Sequence, residues 1–317
     1  LGLLTVPYAS KTLEETLKII KPLGIEAVEL GTGGFTNDAH CNVHDLLQNR
    51  SRISDLKGLV DAYGISISAL SCHGNPVHPD KTIAEAANRN YHETLEVAEL
   101  LGVDTVVTFS GCPGGNKNDT TPNWVTCAWP TEYQEISNYQ WNECLLPYWE
   151  KAGKCAENHG VRVAIEMHPG FSVYNTETMK RLHQVSDAVG ANFDPSHLLW
   201  QGLDAIDAIN DLGSIIDYVH AKDCIVQDNV RRRTGVLDTK SFNEIPNRSW
   251  IFRTVGYGHD AKTWKDIIST LRVNGYDRTI SIEHEDALMS VDEGVKKAAA
   301  FLSEIIIRED ACQAWWV

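Results

Sequence analysis

Short β-branched and apolar runs alternate with longer amphipathic runs along the whole chain. The stretches 2–8, 27–30, 65–72, 105–110, 162–167, 189–194, 216–222 and 279–283 read as strands. Between them, apolar residues recur at helical spacing over 12–23, 50–63, 83–101, 141–159, 176–185, 205–212, 262–273 and 291–307. In the first helical run Leu13, Leu17 and Ile20 share a face, Ser10 or Thr12 supplies an N-cap, and Gly24 ends it. Gly102 and Gly160 close two later runs in the same way.

These are eight strand–helix pairs, and 317 residues give each pair about 40. Each strand followed by a helix implies a parallel crossover, and eight units allow closure. The pattern predicts α/β architecture: a single (β/α)8 TIM barrel over residues 1–317. The rival is an open doubly wound sheet, whose dinucleotide-binding form carries a glycine-rich turn after the first strand. Here that turn is Pro7-Tyr8-Ala9-Ser10, which argues for the barrel. Long loops interrupt the rhythm at 111–140, after the fourth strand, and at 224–260, after the seventh. Loops that follow strands lie on the face where barrel enzymes place their chemistry, so both are expected to act as lids or substrate walls.

Composition excludes several classes. Apolar residues make up 43% and charged residues 22%, enough to fill a core and unlike a disordered chain. No apolar run reaches the ~20 residues of a membrane-spanning helix, and no membrane partner is expected. Twenty-eight basic against 43 acidic side chains give a formal charge of −15, which repels phosphate backbones and argues against nucleic acid. The eight cysteines contain no C-x-x-C pair. They read as reduced, packed thiols of a cytoplasmic protein. The opening residues lack a basic n-region and read as strand rather than as a secretory leader.

Polar residues crowd the ends of the last four strands. The strings are Ile165-Glu166-Met167-His168-Pro169, Asn192-Phe193-Asp194-Pro195-Ser196-His197, Val219-His220-Ala221-Lys222-Asp223 and Ser281-Ile282-Glu283-His284-Glu285-Asp286. Side chains alternate faces along a strand, so Glu166 pairs with His168, His220 with Lys222 and Glu283 with Glu285. In a barrel the inward face at these ends converges on the axis, which would bring Glu166, Asp194, His220 and Glu283 to one point. Three carboxylates and an imidazole packed together repel unless a cation lies between them. Oxygen-rich ligation with one histidine favours Mn²⁺, with Mg²⁺, Co²⁺ and Zn²⁺ as alternatives. Such an ion polarises a carbonyl and acidifies the adjacent C–H.

These four strings resemble the xylose isomerase-like superfamily, and more narrowly its sugar phosphate isomerase/epimerase group. The resemblance runs from the first strand to the last helix. It implies one divalent ion held by Glu166, Asp194, His220 and Glu283, with Glu166 and Glu283 also serving as paired acid and base. His197, in the Asp-x-x-His element, is implied to touch substrate oxygens. Where ketose epimerases of the group often carry a second acid near the fifth-strand glutamate, this chain has His168. Imidazole titrates near neutrality and suits a general base, so the base is either the glutamate pair or His168. The expected activity is a metal-dependent sugar isomerase or epimerase that removes a proton α to a carbonyl. The alternative is a lyase or deglycosidase of 3-keto-glycosides that begins with the same step. An endonuclease IV-like repair enzyme would need more histidines and a basic groove, which the charge opposes.

Other residues are candidates for substrate contact. His73 and Asn75 follow the third strand, beside a glycine that permits close approach. Trp124 and Trp129 stand in the first long loop and offer stacking faces. Arg253 and His259 belong to a glycine-bearing segment of the second. Lys222 adjoins the expected ion and could stabilise an enolate, or pair with Glu285 or Asp223. Glu285 replaces Glu283 as ligand if the register shifts by two. Arg231, Arg232 and Arg233 read as a solvated loop or subunit contact. A carbohydrate is the expected small-molecule partner. The apolar end, residues 311–317, is expected to pack under the barrel or against another subunit of a homo-oligomer or hetero-oligomer.

Overall fold

The strand runs are apolar on both faces, as strands must be when helices cover one side and the barrel interior the other. In the computed structural model, which describes residues 1–317, they form β1 (Gly2–Leu4), β2 (Ala27–Gly31), β3 (Ser66–Ser71), β4 (Thr105–Phe109), β5 (Arg162–Glu166), β6 (Val189–Phe193), β7 (Ile216–Ala221), β8 (Asp223–Val226), β9 (Trp250–Arg253) and β10 (Ile280–Ile282). Eight of them close a parallel barrel in the order β1-β10-β7-β6-β5-β4-β3-β2. This is the (β/α)8 barrel the alternation predicts, with the long loops after its fourth and seventh strands. A cluster of 59 buried apolar residues fills the space between strands and helices.

Several elements differ from the sequence reading, for identifiable reasons. The first strand stops at Leu4 and passes into a 3₁₀ turn at Val6–Tyr8, because Pro7 has no N–H for the ladder. Thr12 caps the next helix: its hydroxyl accepts the Glu15 N–H while Glu15 accepts the Thr12 N–H at 2.8 Å. The run at 141–159 is longer than expected. It begins as Glu132–Tyr139, passes through a π-helical turn at Gln140–Leu145 and continues as Leu146–Asn158. The Gln140 amide sits in that turn and donates to the carbonyls of Pro113 (3.1 Å) and Asn123 (2.6 Å), which pins the first long loop. The second long loop contains the antiparallel pair β8–β9, which local pattern did not reveal. Trp250 of this hairpin stacks on Trp200 with centroids 4.5 Å apart, clamping it over the barrel mouth.

Inside the barrel, Ala69, Val107, Ala164 and Tyr218 form a small packed layer. Two residues further along the same strands, on the same face, stand Ser71, Phe109, Glu166 and His220. The pleat therefore lifts the polar residues one layer towards the C-terminal mouth, above an apolar plug. The end of the chain does not pack under the barrel: Trp315 is 83% and Val317 is 99% exposed.

Candidate metal centre and active site

Asp194, the first residue beyond β6, begins a short helix, Pro195–Leu199. Its Oδ1 accepts the Ser196 N–H at 2.8 Å, which fixes the carboxyl and leaves Oδ2 turned towards the axis. Glu166 ends β5, His220 lies one residue before the end of β7, and Glu283 follows β10. Donor atoms of Glu166, Asp194, His220 and Glu283 all lie within 4.8 Å of one another. His220 Nδ1 is 2.9 Å from Glu283 Oε2 and 3.7 Å from Glu166 Oε2. Asp194 Oδ2 and Glu283 Oε2 are buried without a hydrogen-bond partner in good geometry. Their charged neighbours stand at ion-pair distance only, Lys222 Nζ at 3.1 and 3.0 Å respectively. Unsatisfied buried carboxylate oxygens beside an imidazole lone pair are the donor set a divalent cation requires, so these residues fit the expected ion.

Without a cation, protons on Asp194 and His220 balance the buried acids, and an ion would displace them. Burial raises the Asp194 carboxyl to about 7, with Glu283 and Glu166 adding to the rise and Lys222 opposing it. Burial opposes charge on His220, yet the Glu29 and Glu283 carboxylates outweigh it and hold that imidazole well above its ordinary value. Burial likewise works against ionised Glu166, but the His197 ring at 3.0 Å and a hydrogen bond from His73 keep it well below the usual carboxylate range. Lys222 is buried, and Asp194, Glu283 and Glu285 keep it charged against the cost of desolvation. Four acids here share one lysine, and a dication would offset the remaining repulsion.

Glu29, of β2, was missed by the sequence reading. It is fully buried, and both its oxygens lie 3.0 Å from His220 Nε2. Ser281 donates to it at 2.7 Å, and Ser71 donates to its other oxygen. Nε2 therefore carries the proton, while Nδ1 faces the carboxylates and the Asn192 amide at 3.0 Å. A carboxylate behind a metal-facing histidine fixes its tautomer and orientation. The available signal was the acid itself: Ala27-Val28-Glu29-Leu30 places a charge inside a run otherwise apolar on both faces.

The other sequence candidates divide into two groups. His73, His168, His197 and Lys222 join the cluster. His73 Nε2 lies 2.8 Å from Glu166 Oε2 and His197 Nε2 3.0 Å from Glu166 Oε1. The His168 and His197 ring centroids are 4.0 Å apart. Nδ1 of His168 is 2.7 Å from the Pro169 carbonyl, an acceptor only, so Nδ1 holds the proton and Nε2 presents a lone pair. Burial lowers the His168 pKa below its ordinary 6.5, which keeps the ring neutral.

The second group is turned to structural contacts instead. Both ends of the Asn75 amide bond the Cys112 backbone, at 2.8 and 3.0 Å, tying two loops together. Arg253 Nε pairs with Asp286 at 3.0 Å. His259 Nδ1 pairs with Asp223 at 2.7 Å, since Asp223 is buried and needs donors. Trp129 is 76% exposed and takes no part in the cluster, because its loop is anchored elsewhere, through Gln140. Trp124 packs edge-on against Tyr174 at 5.6 Å. Glu285 is half exposed and reaches the cluster only through Lys222 at 3.2 Å, so the register places Glu283 inside. Arg231 and Arg232 pair with Asp228 on the surface.

Comparison with known proteins agrees with this architecture. The chain is 37% identical over 297 residues to the uncharacterized protein YfiH of Bacillus subtilis, covering 92% of this chain and 95% of that one. It is 27% identical over 237 residues to an inosose dehydratase of Geobacillus kaustophilus, covering 71% and 69%. The crystal structure of a D-tagatose 3-epimerase-like protein superposes with a TM-score of 0.65 at 18% identity, over 96% of each chain, a likeness of fold. Residues 17–305 match the model of one family, and the chain belongs to it: the xylose isomerase-like TIM barrels.

Proposed function

We propose that this protein is a divalent-metal-dependent isomerase or epimerase of a carbohydrate, acting by removal of a proton α to a carbonyl. The observation that carries the reading is the convergence of Glu166, Asp194, His220 and Glu283 within 4.8 Å. A divalent ion bound there, Mn²⁺ by preference for this donor set, would polarise the carbonyl and acidify the neighbouring C–H. The chain's own groups divide the remaining work. Glu166 is engaged by His73 and His197, and Glu283 by His220 and Lys222, which leaves both poorly placed to take a proton. His168 is neutral, with its Nε2 lone pair free, and is the base. Lys222, charged and buried beside the carboxylates, stabilises the oxyanion that forms. His197 and His73, both buried within the cluster, hold Glu166 and face the substrate oxygens from inside it.

A second reading, a dehydratase or lyase, is favoured by the inosose dehydratase relative. It uses the same abstraction, followed by loss of a β-oxygen substituent. The free thiols suit a cytoplasmic location, and the exposed residues 315–317 suit contact with another subunit. The deciding experiment incubates the protein in D₂O with D-fructose, D-tagatose and an inosose and follows the α-protons by NMR. Exchange with Mn²⁺ that stops on chelation supports the reading. Exchange accompanied by an enone product selects the second. No exchange with any metal or ketone ends both.

A further inference from the structure

A cavity of about 730 Å³ opens beside the metal cluster, between the loops that follow β2, β3, β4 and β5. None of the four metal-facing residues lines it. Its walls include Phe35, Phe171, Ile83, Ala86, Pro122 and His78. Its Phe171 wall is one aromatic layer away from the catalytic cluster. The Phe171 ring stacks on Phe109 with centroids 4.1 Å apart, and Phe109 meets the edge of His73 at 4.4 Å and of His168 at 4.9 Å. The walls are preformed. Phe35 N–H donates to the His73 carbonyl at 2.8 Å, an approach that requires Gly34, since a Cβ there would stand 1.9 Å from that oxygen. The Asn75 amide locks the opposite wall to Cys112. Phe35 is 71% exposed, so an apolar face is turned towards solvent at the edge of the cavity. The polar side chains in the wall are those of Asn75, His78, Thr82 and Asn90; His78 Nδ1 accepts the Asp80 N–H at 2.9 Å, which leaves the proton on Nε2 as a donor.

A sugar ring alone is polar on most of its surface and is matched by the polar cluster, not by this space. Cavities of about 300–1,000 Å³ with apolar walls and few polar groups hold compact apolar ligands. We infer that the substrate is a keto-carbohydrate carrying an apolar ring group, such as an aryl substituent, and that this cavity receives the ring, with His78 meeting a phenolic or ether oxygen on it. The inference rests on the proposed function only in joining that ring to the reacting polyol.

The test uses 4-methylumbelliferone, a bare phenolic aromatic, titrated by fluorescence into the full chain with and without Mn²⁺. Saturable binding is expected in both conditions. It weakens by about tenfold or more in A86W, which fills the cavity from an exposed helical position, and in F35S. Calorimetric Mn²⁺ affinity of both variants serves as the folding control. Proton lines of the bound aromatic broaden with Mn²⁺ and not with Mg²⁺, because the cavity borders the metal cluster. Absence of saturable binding, equal binding by A86W, or lines indifferent to Mn²⁺ overturns the inference. Binding without α-proton exchange of the ketoses overturns the proposed function alone. Exchange without binding overturns the cavity assignment alone.

Discussion

Glu29 and His168 act through single atoms, and each yields a prediction. In Glu29→Gln the acceptor for His220 Nε2–H is weakened, the ring loses its fixed tautomer, and Mn²⁺ affinity falls about 10- to 100-fold by calorimetry. His168→Asn keeps Mn²⁺ affinity and lowers kcat for α-proton exchange by about 10² to 10⁴. With a pKa lowered by burial, His168 would work as the neutral base under the proposed reaction. Activity is therefore present above that pKa and lost as the pH drops through it, in the region below 6.5. The acid limb of the kcat/KM profile vanishes in the variant if the assignment is right and persists unchanged if the glutamate pair is the base. Asp194, raised to about 7 by burial, sets a different dependence. Metal binding must displace its proton, so Mn²⁺ affinity is full above about 7 and weakens as the pH falls below it, with one proton released per ion from this group.

At the scale of elements, Asp223 holds the second long loop. Its carboxylate accepts the N–H groups of Gly256 (3.1 Å), Gly258 (3.1 Å) and His259 (3.0 Å) and the Trp264 indole N–H (3.1 Å). These bonds draw the turn after β9 down onto the barrel and set the end of the β8–β9 hairpin. Phe252 of that hairpin lies under Lys222 Nζ, 4.7 Å from its ring centroid. Asp223→Ala leaves these four donors, the His259 ring and the Cys224 N–H without their acceptor. The expected cost is about 1–3 kcal/mol in urea unfolding. Tryptic cleavage at Arg231–Arg233 should accelerate as the hairpin loosens, and cleavage at the wild-type rate would show that the loop is held by other contacts.

At the scale of the whole molecule, the candidate metal centre joins strands from opposite sides of a closed barrel. Glu29 belongs to β2, while its partners stand on or beside β5, β6, β7 and β10. An ion bound only by the folded state adds RT ln(1 + [L]/Kd), about 2.7 kcal/mol at a hundredfold excess over Kd. Thermal unfolding should shift upward with Mn²⁺ and return with chelator. In Glu166→Gln, which removes a ligand charge, most of that shift is lost. A chain that melts identically with and without divalent ions would show that Lys222 and a protonated His220 balance the carboxylates without an ion.

The sequence by itself determined the barrel, because the alternation of eight short apolar runs with eight amphipathic ones leaves few ways to bury both faces of the strands. It also indicated the convergence of Glu166, Asp194, His220 and Glu283: strand ends share one mouth of a parallel barrel, and the period of two says which residues share a face. Other features depended on contacts across long separations. Glu29 is 191 residues from His220, and no local pattern pairs them. The β8–β9 hairpin spans a loop whose strands are held by Trp200 stacking, which their own periodicity does not encode. Arg253, His259 and Asn75 have side chains suited to substrate, and their roles were decided by which buried acid or backbone group lay nearest once the loops met. Sequence pattern fixes which face a residue takes; only the folded chain decides which polar group it finds there.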